Sequence, residues 1–187
     1  TVRRDLGKTY YPVIAGKTVK HAEKLSSTNP SNPSEIVGKS GLATKADADN
    51  ALKVARETFT TWKKTAVSER IRYLDKIADL MVQKRYELSA LQVLEVGKSW
   101  SEADGDVTEA IDFLRYYAID MARLAKPQRV GRGLPGETNT YHYQPRGVAL
   151  VIAPWNFPLA ILTGMVGAAM VVGNTVIMKP AEQSSII

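Results

Sequence analysis

The sequence predicts an α/β fold, with a helical N-terminal region followed by a βαβ unit, and three observations predict it. First, the 32 positions between Arg146 and Lys179 carry no charge, yet Pro154, Asn156 and Pro158, and then Gly173-Asn174, cut them into pieces. The pieces are a β-branched run (Val148–Ala153), a stretch of small apolar residues (Leu159–Val172) and a second β-branched run (Thr175–Met178). None reaches the roughly 18 residues that a bilayer span needs. They read as strand, helix, strand, with both strands buried on two faces as parallel sheets demand. Second, three series of apolar residues recur upstream at helical spacing. Third, a chain of 187 residues with 44% hydrophobic and 24% charged side chains has globular composition and can bury a core without cross-links.

The elements follow in order. Tyr10–Val19 alternates weakly and turns at Ala15-Gly16-Lys17, which predicts a small hairpin. Ser26–Ser34, with Asn29-Pro30 and Asn32-Pro33, reads as a turn-rich connection, and Glu35–Leu42 as a short strand. Thr44 precedes Ala48, Leu52, Ala55, Phe59 and Trp62, spaced by four and three, and so caps a first helix. A second helix begins near Ser68 with Ile71, Leu74, Ile77, Ala78 and Met81 on one face. A third runs from about Tyr86 to Val96 and stops at Gly97.

The fourth helix, about Ser101 to Ala125, places Ala103, Val107, Ala110, Ile111, Leu114, Ala118 and Met121 in a core stripe. Its acids (Glu102, Asp104, Asp106, Glu109) sit early and its bases (Arg115, Arg123, Lys126) late, matching the helix dipole. At 100° per residue, Glu109, Phe113 and Tyr116 fall opposite the core stripe. Either this face meets something, or it is a solvated acid beside surface aromatics. Asp104-Gly105-Asp106 lacks the later ligands of a calcium loop. Residues 126–144 are Gly-rich and then Thr/Tyr-rich, predicting a loop that leads into an exposed strand whose open edge pairs elsewhere in the protein or with another subunit.

Composition excludes several chemistries. There are no cysteines, hence no disulfide, thiolate metal site or thiol nucleophile in this chain. His21 and His142 lie too far apart in sequence to suggest a metal site. The net charge of +6 is spread among acids with no long basic run, which reads as a solvated surface and not as a nucleic-acid interface. The N-terminal residues contain no apolar core followed by a cleavage site, so the expected location is the cytoplasm, away from any membrane.

The strand Val148–Ala153 runs into Pro154-Trp155-Asn156-Phe157-Pro158 and then a helix. Ligands of open α/β sheets collect at the carboxyl ends of strands. An Asn placed there can aim its amide N–H into the crevice as an oxyanion donor. No G-x-G-x-x-G follows the strand, so the usual dinucleotide fingerprint is missing. The second strand ends at Met178-Lys179-Pro180-Ala181-Glu182-Gln183, where Lys179 and Glu182 could both reach one ribose.

These segments resemble the aldehyde dehydrogenase superfamily. The run PRGVALVIAPWNFPLAILTGMVGAAMVVGNTVIMKPAEQ looks like that family's first βαβ unit, and NPSNPSEIVGKSGLATKADADNALKVA and LQVLEVGKSWSEADGDVTEAIDFLRYYA share its pattern. Within the superfamily, GKSWSEADGDVTEAIDFLRYYA and PWNFPLAILTGM are most similar to the 1-pyrroline-5-carboxylate dehydrogenase branch, which oxidises L-glutamate γ-semialdehyde to glutamate with NAD in proline catabolism.

The resemblance implies the N-terminal part of a Rossmann-like NAD-binding domain. It divides the chain into a hairpin, strand and helical region at 1–125, a linker with an exposed strand at 126–146, and an incomplete first βαβ unit at 147–187. It also implies roles. Asn156 would donate to the oxyanion of the thiohemiacetal formed on a catalytic cysteine. Lys179 and Glu182 would hold the adenosine ribose, and Ile152, Ala153, Pro154 and Trp155 would line the cofactor cleft. Phe157 would pack on the aliphatic part of the substrate, and Glu109 would face its α-ammonium group. The expected partners are a small-molecule aldehyde and further copies of the chain in a homo-oligomer, with no metal. The family's cysteine, glutamate base and glycine-rich turn come later than residue 187, so these residues are expected to be an N-terminal fragment, inactive alone. Another aldehyde or semialdehyde dehydrogenase, or a truncated paralogue that acts only by association, stays open at this point.

Overall fold

The computed structural model describes residues 2–131 and 133–187, so residue 132 of the 126–146 segment lies outside the described residues. Short strands come first: β1 (Thr9–Tyr10), β2 (Val13–Ile14), β3 (Lys17–Thr18), β4 (Lys24–Asn29) and β5 (Asn32–Gly41). Four helices follow: α1 (Lys45–Trp62), α2 (Val67–Gln83), α3 (Arg85–Val96) and α4 (Trp100–Leu124). The chain then forms β6 (Gln128–Arg129), β7 (Thr140–Tyr141), β8 (Val148–Ile152), α5 (Ala160–Val171) and β9 (Thr175–Lys179).

The β2–β3 hairpin turns at Ala15 and Gly16, which share positive φ of 52° and 73°, as a tight two-residue turn requires. The stretch expected to be a connection, Ser26–Ser34, is instead paired. β4 and β5 form an antiparallel hairpin in which Asn29 faces Asn32, and β1 joins β5 in parallel. The Asn-Pro-Ser-Asn sequence is only the turn itself. Asn29 accepts from the Ser31 amide at 2.9 Å and donates to Glu35 at 2.7 Å, which leaves the flanking residues free to pair.

Thr44 caps α1 in a capping box with Asp47, and Ser99 caps α4 likewise with Glu102. Helix α4 is central. Val107, Ala110, Ile111, Leu114, Ala118 and Met121 form the core with Leu74 and Ala78 of α2 and with Leu159, Ala160 and Val171 in and beside α5. Two glycines let α5 approach closely: a Cβ at Gly164 would sit 2.9 Å from the Phe113 ring, and one at Gly167 would sit 3.0 Å from Leu114. Phe113 is therefore half-buried beneath α5, while Glu109 and Tyr116, expected on the same face, are exposed.

Strands β8 and β9 are parallel neighbours connected through α5. Within this chain the two faces of the β8–β9 pair differ. Val151 is buried, but Leu150 and Ile152, on the opposite face, are 62% and 61% exposed. Helix α1 packs against the start of that face, where Thr175 donates to the Ala55 carbonyl at 2.9 Å, and it borders an open groove beside Leu150 and Ile177. Strands β6 and β7 form a separate exposed antiparallel ribbon. No helix among the described residues is long and apolar enough to cross a membrane.

Candidate active site

The register of β8 and β9 builds the site. Val148 pairs with Thr175 at one end and Ile152 with Lys179 at the other. The starting end is fastened by Asn174, whose side-chain carbonyl accepts from the amides of Arg146 and Gly147 at 2.7 and 3.0 Å. At the far end the Ala153 amide donates to the Lys179 carbonyl at 3.3 Å. The turn carrying Asn156 and the turn carrying Glu182 therefore leave the sheet at one edge, where ligands of α/β sheets collect.

On the β9 side, Lys179 Nζ donates to Glu182 Oε1 at 2.8 Å and to the Pro180 carbonyl at 3.1 Å. Both side chains are exposed, and the hydrogen bond from Lys179 holds the Glu182 carboxyl below the usual carboxylate range. A donor and an acceptor in contact, beside the exposed Ile152 and Pro154, suit vicinal hydroxyls next to a flat apolar group. The segment beyond is anchored by a residue that sequence reasoning missed. Glu95 of α3 is 3% exposed and accepts from Ser27 Oγ at 2.9 Å and from the amides of Ile186 and Ile187 at 3.0 and 2.8 Å. Burial pushes its carboxyl above the usual range, partly offset by those hydrogen bonds.

On the β8 side, Trp155, Asn156 and Phe157 are exposed, whereas Pro158, Leu159 and Ala160 are buried. Two more unanticipated residues hold this turn from beneath. Lys98 Nζ lies 4.2 Å from the centre of the Phe157 ring and 3.7 Å from Asp106 Oδ1, while Asp106 Oδ2 accepts from the Leu159 amide at 3.2 Å. Local chain geometry aims Lys98 inward. Gly97 ends α3 with φ of 69°, a conformation that suits glycine, and a Cβ there would lie 3.0 Å from Pro30. Ser99, on the other side, starts α4. Asp106 is 2% exposed, and burial raises its carboxyl above the usual range while Lys98 opposes the shift. Asp106 follows Ala103 by three and precedes Ala110 by four, so a signal for its burial lay in the core stripe itself.

Glu109 stands apart from the strand ends. It lines an open groove along α4 with Thr108, Phe113 and Tyr116, and the Phe113 ring stacks on Tyr117 with centroids 5.8 Å apart. The fold thus brings Ile152, Ala153, Pro154, Lys179 and Glu182 to one edge, with Trp155, Asn156 and Phe157 in the turn that leaves it. Glu109 sits on the helix that also carries Asp106.

Comparison with known proteins gives a consistent result. The aldehyde dehydrogenase family profile matches residues 18–187. A 1-pyrroline-5-carboxylate dehydrogenase of Geobacillus sp. (strain WCH70) is 45% identical over 186 residues, which cover 100% of this chain and 36% of that protein. The crystal structure of 1-pyrroline-5-carboxylate dehydrogenase from Thermus with bound NAD superposes with a TM-score of 0.94 at 48% identity, over 98% of this chain and 36% of that one. Proline utilization A from Bdellovibrio bacteriovorus, inactivated by N-propargylglycine, superposes at 0.96 with 52% identity, over 99% of this chain and 19% of its own. The chain thus spans about a third of the length of the curated relatives it matches. The matched residues include both strand ends and both turns, and this chain belongs to the aldehyde dehydrogenase family.

Proposed function

We propose that these residues work as the N-terminal portion of an NAD-dependent dehydrogenase that oxidises L-glutamate γ-semialdehyde, the open form of 1-pyrroline-5-carboxylate, to L-glutamate in proline catabolism. The observation that carries this reading is the common edge at which Ile152 meets Lys179, because the Asn156 turn and the Lys179–Glu182 pair both leave the sheet there. Identities of 42–45% to 1-pyrroline-5-carboxylate dehydrogenases support the branch, and the bound NAD of the Thermus enzyme supports the cofactor.

The residues at the strand ends fit a dinucleotide. Lys179 donates and Glu182 accepts at the adenosine ribose hydroxyls, while Ile152, Ala153, Pro154 and Trp155 form the wall of the cleft. NAD bound there would supply the hydride acceptor that an aldehyde oxidation needs. Asn156 donates its side-chain amide to the oxyanion that develops when a nucleophile adds to the aldehyde. The chain has no cysteine, so the attacking thiol comes from residues outside this sequence, and these 187 residues alone are inactive. Phe157 packs on the methylene groups of the substrate and Glu109 accepts from its α-ammonium group. Residues 1–125 and 126–146 form the helical region and the linker with its strand, and 147–187 the first βαβ unit. The complete enzyme is a cytoplasmic homo-oligomer.

Steady-state kinetics of Asn156→Ala in the complete enzyme tests the reading. Turnover should fall about 10²- to 10³-fold, the usual worth of one oxyanion donor, with NAD binding kept. An unchanged kcat refutes the role.

A further inference from the structure

We infer that Lys98 and Asp106 are positioning residues for Asn156, fixing its turn from beneath; this rests on the oxyanion reading of Asn156. Within these residues the Asn156 side chain is exposed, so the direction of its amide follows the backbone of residues 154–159. That turn is gripped just after Asn156 at two points, one through a side chain and one through the backbone. Lys98 lies under the Phe157 ring, and the Leu159 amide donates to Asp106. Both grips converge on one ion pair, supplied by the α3–α4 connection and by α4, elements that are not part of the β8–β9 sheet.

The pair is poorly built for stability alone. Its side chains are 11% and 0% exposed, its closest separation is 3.7 Å, and neither Lys98 Nζ nor Asp106 Oδ1 makes a hydrogen bond. Buried charges in such an arrangement recover little of their desolvation cost, and apolar residues of the same shape pack as well or better. What charges supply that apolar residues cannot is direction. An ammonium group holds an aromatic face, and a carboxylate holds one backbone N–H in place. Displacing a catalytic donor by about 1 Å can cost on the order of 10²-fold in rate.

The test is a set of variants in the complete enzyme: Lys98→Met, Asp106→Asn, the pair together, Asn156→Ala, and Lys98→Met combined with Asn156→Ala. Equilibrium NAD binding is measured beside kcat and KM. Lys98→Met and Asp106→Asn should each lower kcat about 10- to 100-fold while NAD affinity stays within about twofold. The Lys98→Met/Asp106→Asn enzyme removes both charges at once, which guards the fold against an orphaned one, and should show the same split. In the Asn156→Ala background, Lys98→Met should cost less than about twofold, because no amide is left to misplace. A Lys98→Met effect of full size in both backgrounds overturns the positioning role and leaves that of Asn156 intact. Loss of NAD binding in step with kcat also overturns it. If Asn156→Ala itself leaves kcat unchanged, the oxyanion reading fails and this inference falls with it.

Discussion

Replacing Glu95 should expose how the segment beyond the Lys179–Glu182 pair is held. The carboxylate is 3% exposed and accepts three hydrogen bonds, from Ser27 Oγ and from the amides of Ile186 and Ile187. Glu95→Ala orphans the buried Ser27 hydroxyl, worth about 1–3 kcal/mol, and removes two bonds to half-buried amides, each worth about 0.5–1.5 kcal/mol. The wild-type cost of burying the charge offsets part of this, giving a net loss of about 2–4 kcal/mol. Glu95→Gln keeps a carbonyl acceptor and should lose about 1 kcal/mol in mild acid.

The pH dependence sharpens the test. Burial raises the folded-state pKa of Glu95 above its unfolded value, so the native state binds the proton more tightly. The resulting stabilisation is fully present below about 4.5, the unfolded value, and is lost as pH rises through the raised folded value. Gln cannot ionise, so the wild-type advantage over Glu95→Gln should shrink from pH 5 to pH 8. Urea denaturation of the chain at low concentration measures it. Emission from the half-buried Trp62, whose indole donates to the Met170 carbonyl at 3.3 Å, reports the loss of packing between α1 and α5. A gap between wild type and Glu95→Gln that does not change with pH, or equal losses for Gln and Ala, would refute the reasoning.

Three other outcomes are expected. Glu109→Gln in the complete enzyme should raise KM for glutamate semialdehyde about 10- to 150-fold, the worth of one charge-assisted hydrogen bond, and leave propanal nearly unaffected. Equal KM values for mutant and wild type would return Glu109 to an ordinary solvated face. NAD should be preferred over NADP, since the Glu182 carboxylate meets a 2′-phosphate with like-charge repulsion that Lys179 only partly offsets; kcat/KM for the two cofactors decides this, and a preference for NADP counts against the ribose role. The purified 187-residue chain, having no thiol, should turn over no aldehyde with NAD, and measurable oxidation would overturn the division of labour proposed above.

The sequence by itself determined the elements whose signals are local. Thr44 caps α1 and Gly97 ends α3 as spacing alone predicts, and the uncharged run from Val148 to Met178 resolves into β8, α5 and β9, because capping, glycine conformation and proline punctuation act over a few residues. The sequence also marked the Asn156 turn and the Lys179–Glu182 spacing, since both lie within one βαβ unit.

The tertiary structure decided what depends on distant partners. Ser26–Ser34 reads as loop until β4 and β5 pair across its turn, and the Phe113 face reads either way until two glycines bring α5 onto it. Glu95 and Lys98 look like ordinary helix and loop charges, and Asp106, though spaced with the core stripe, shows no partner in sequence. Their partners stand 92, 59 and 53 residues later, at Ile187, Phe157 and Leu159, and only folding brings a carboxylate or an ammonium group to those positions while excluding the water that would otherwise solvate it.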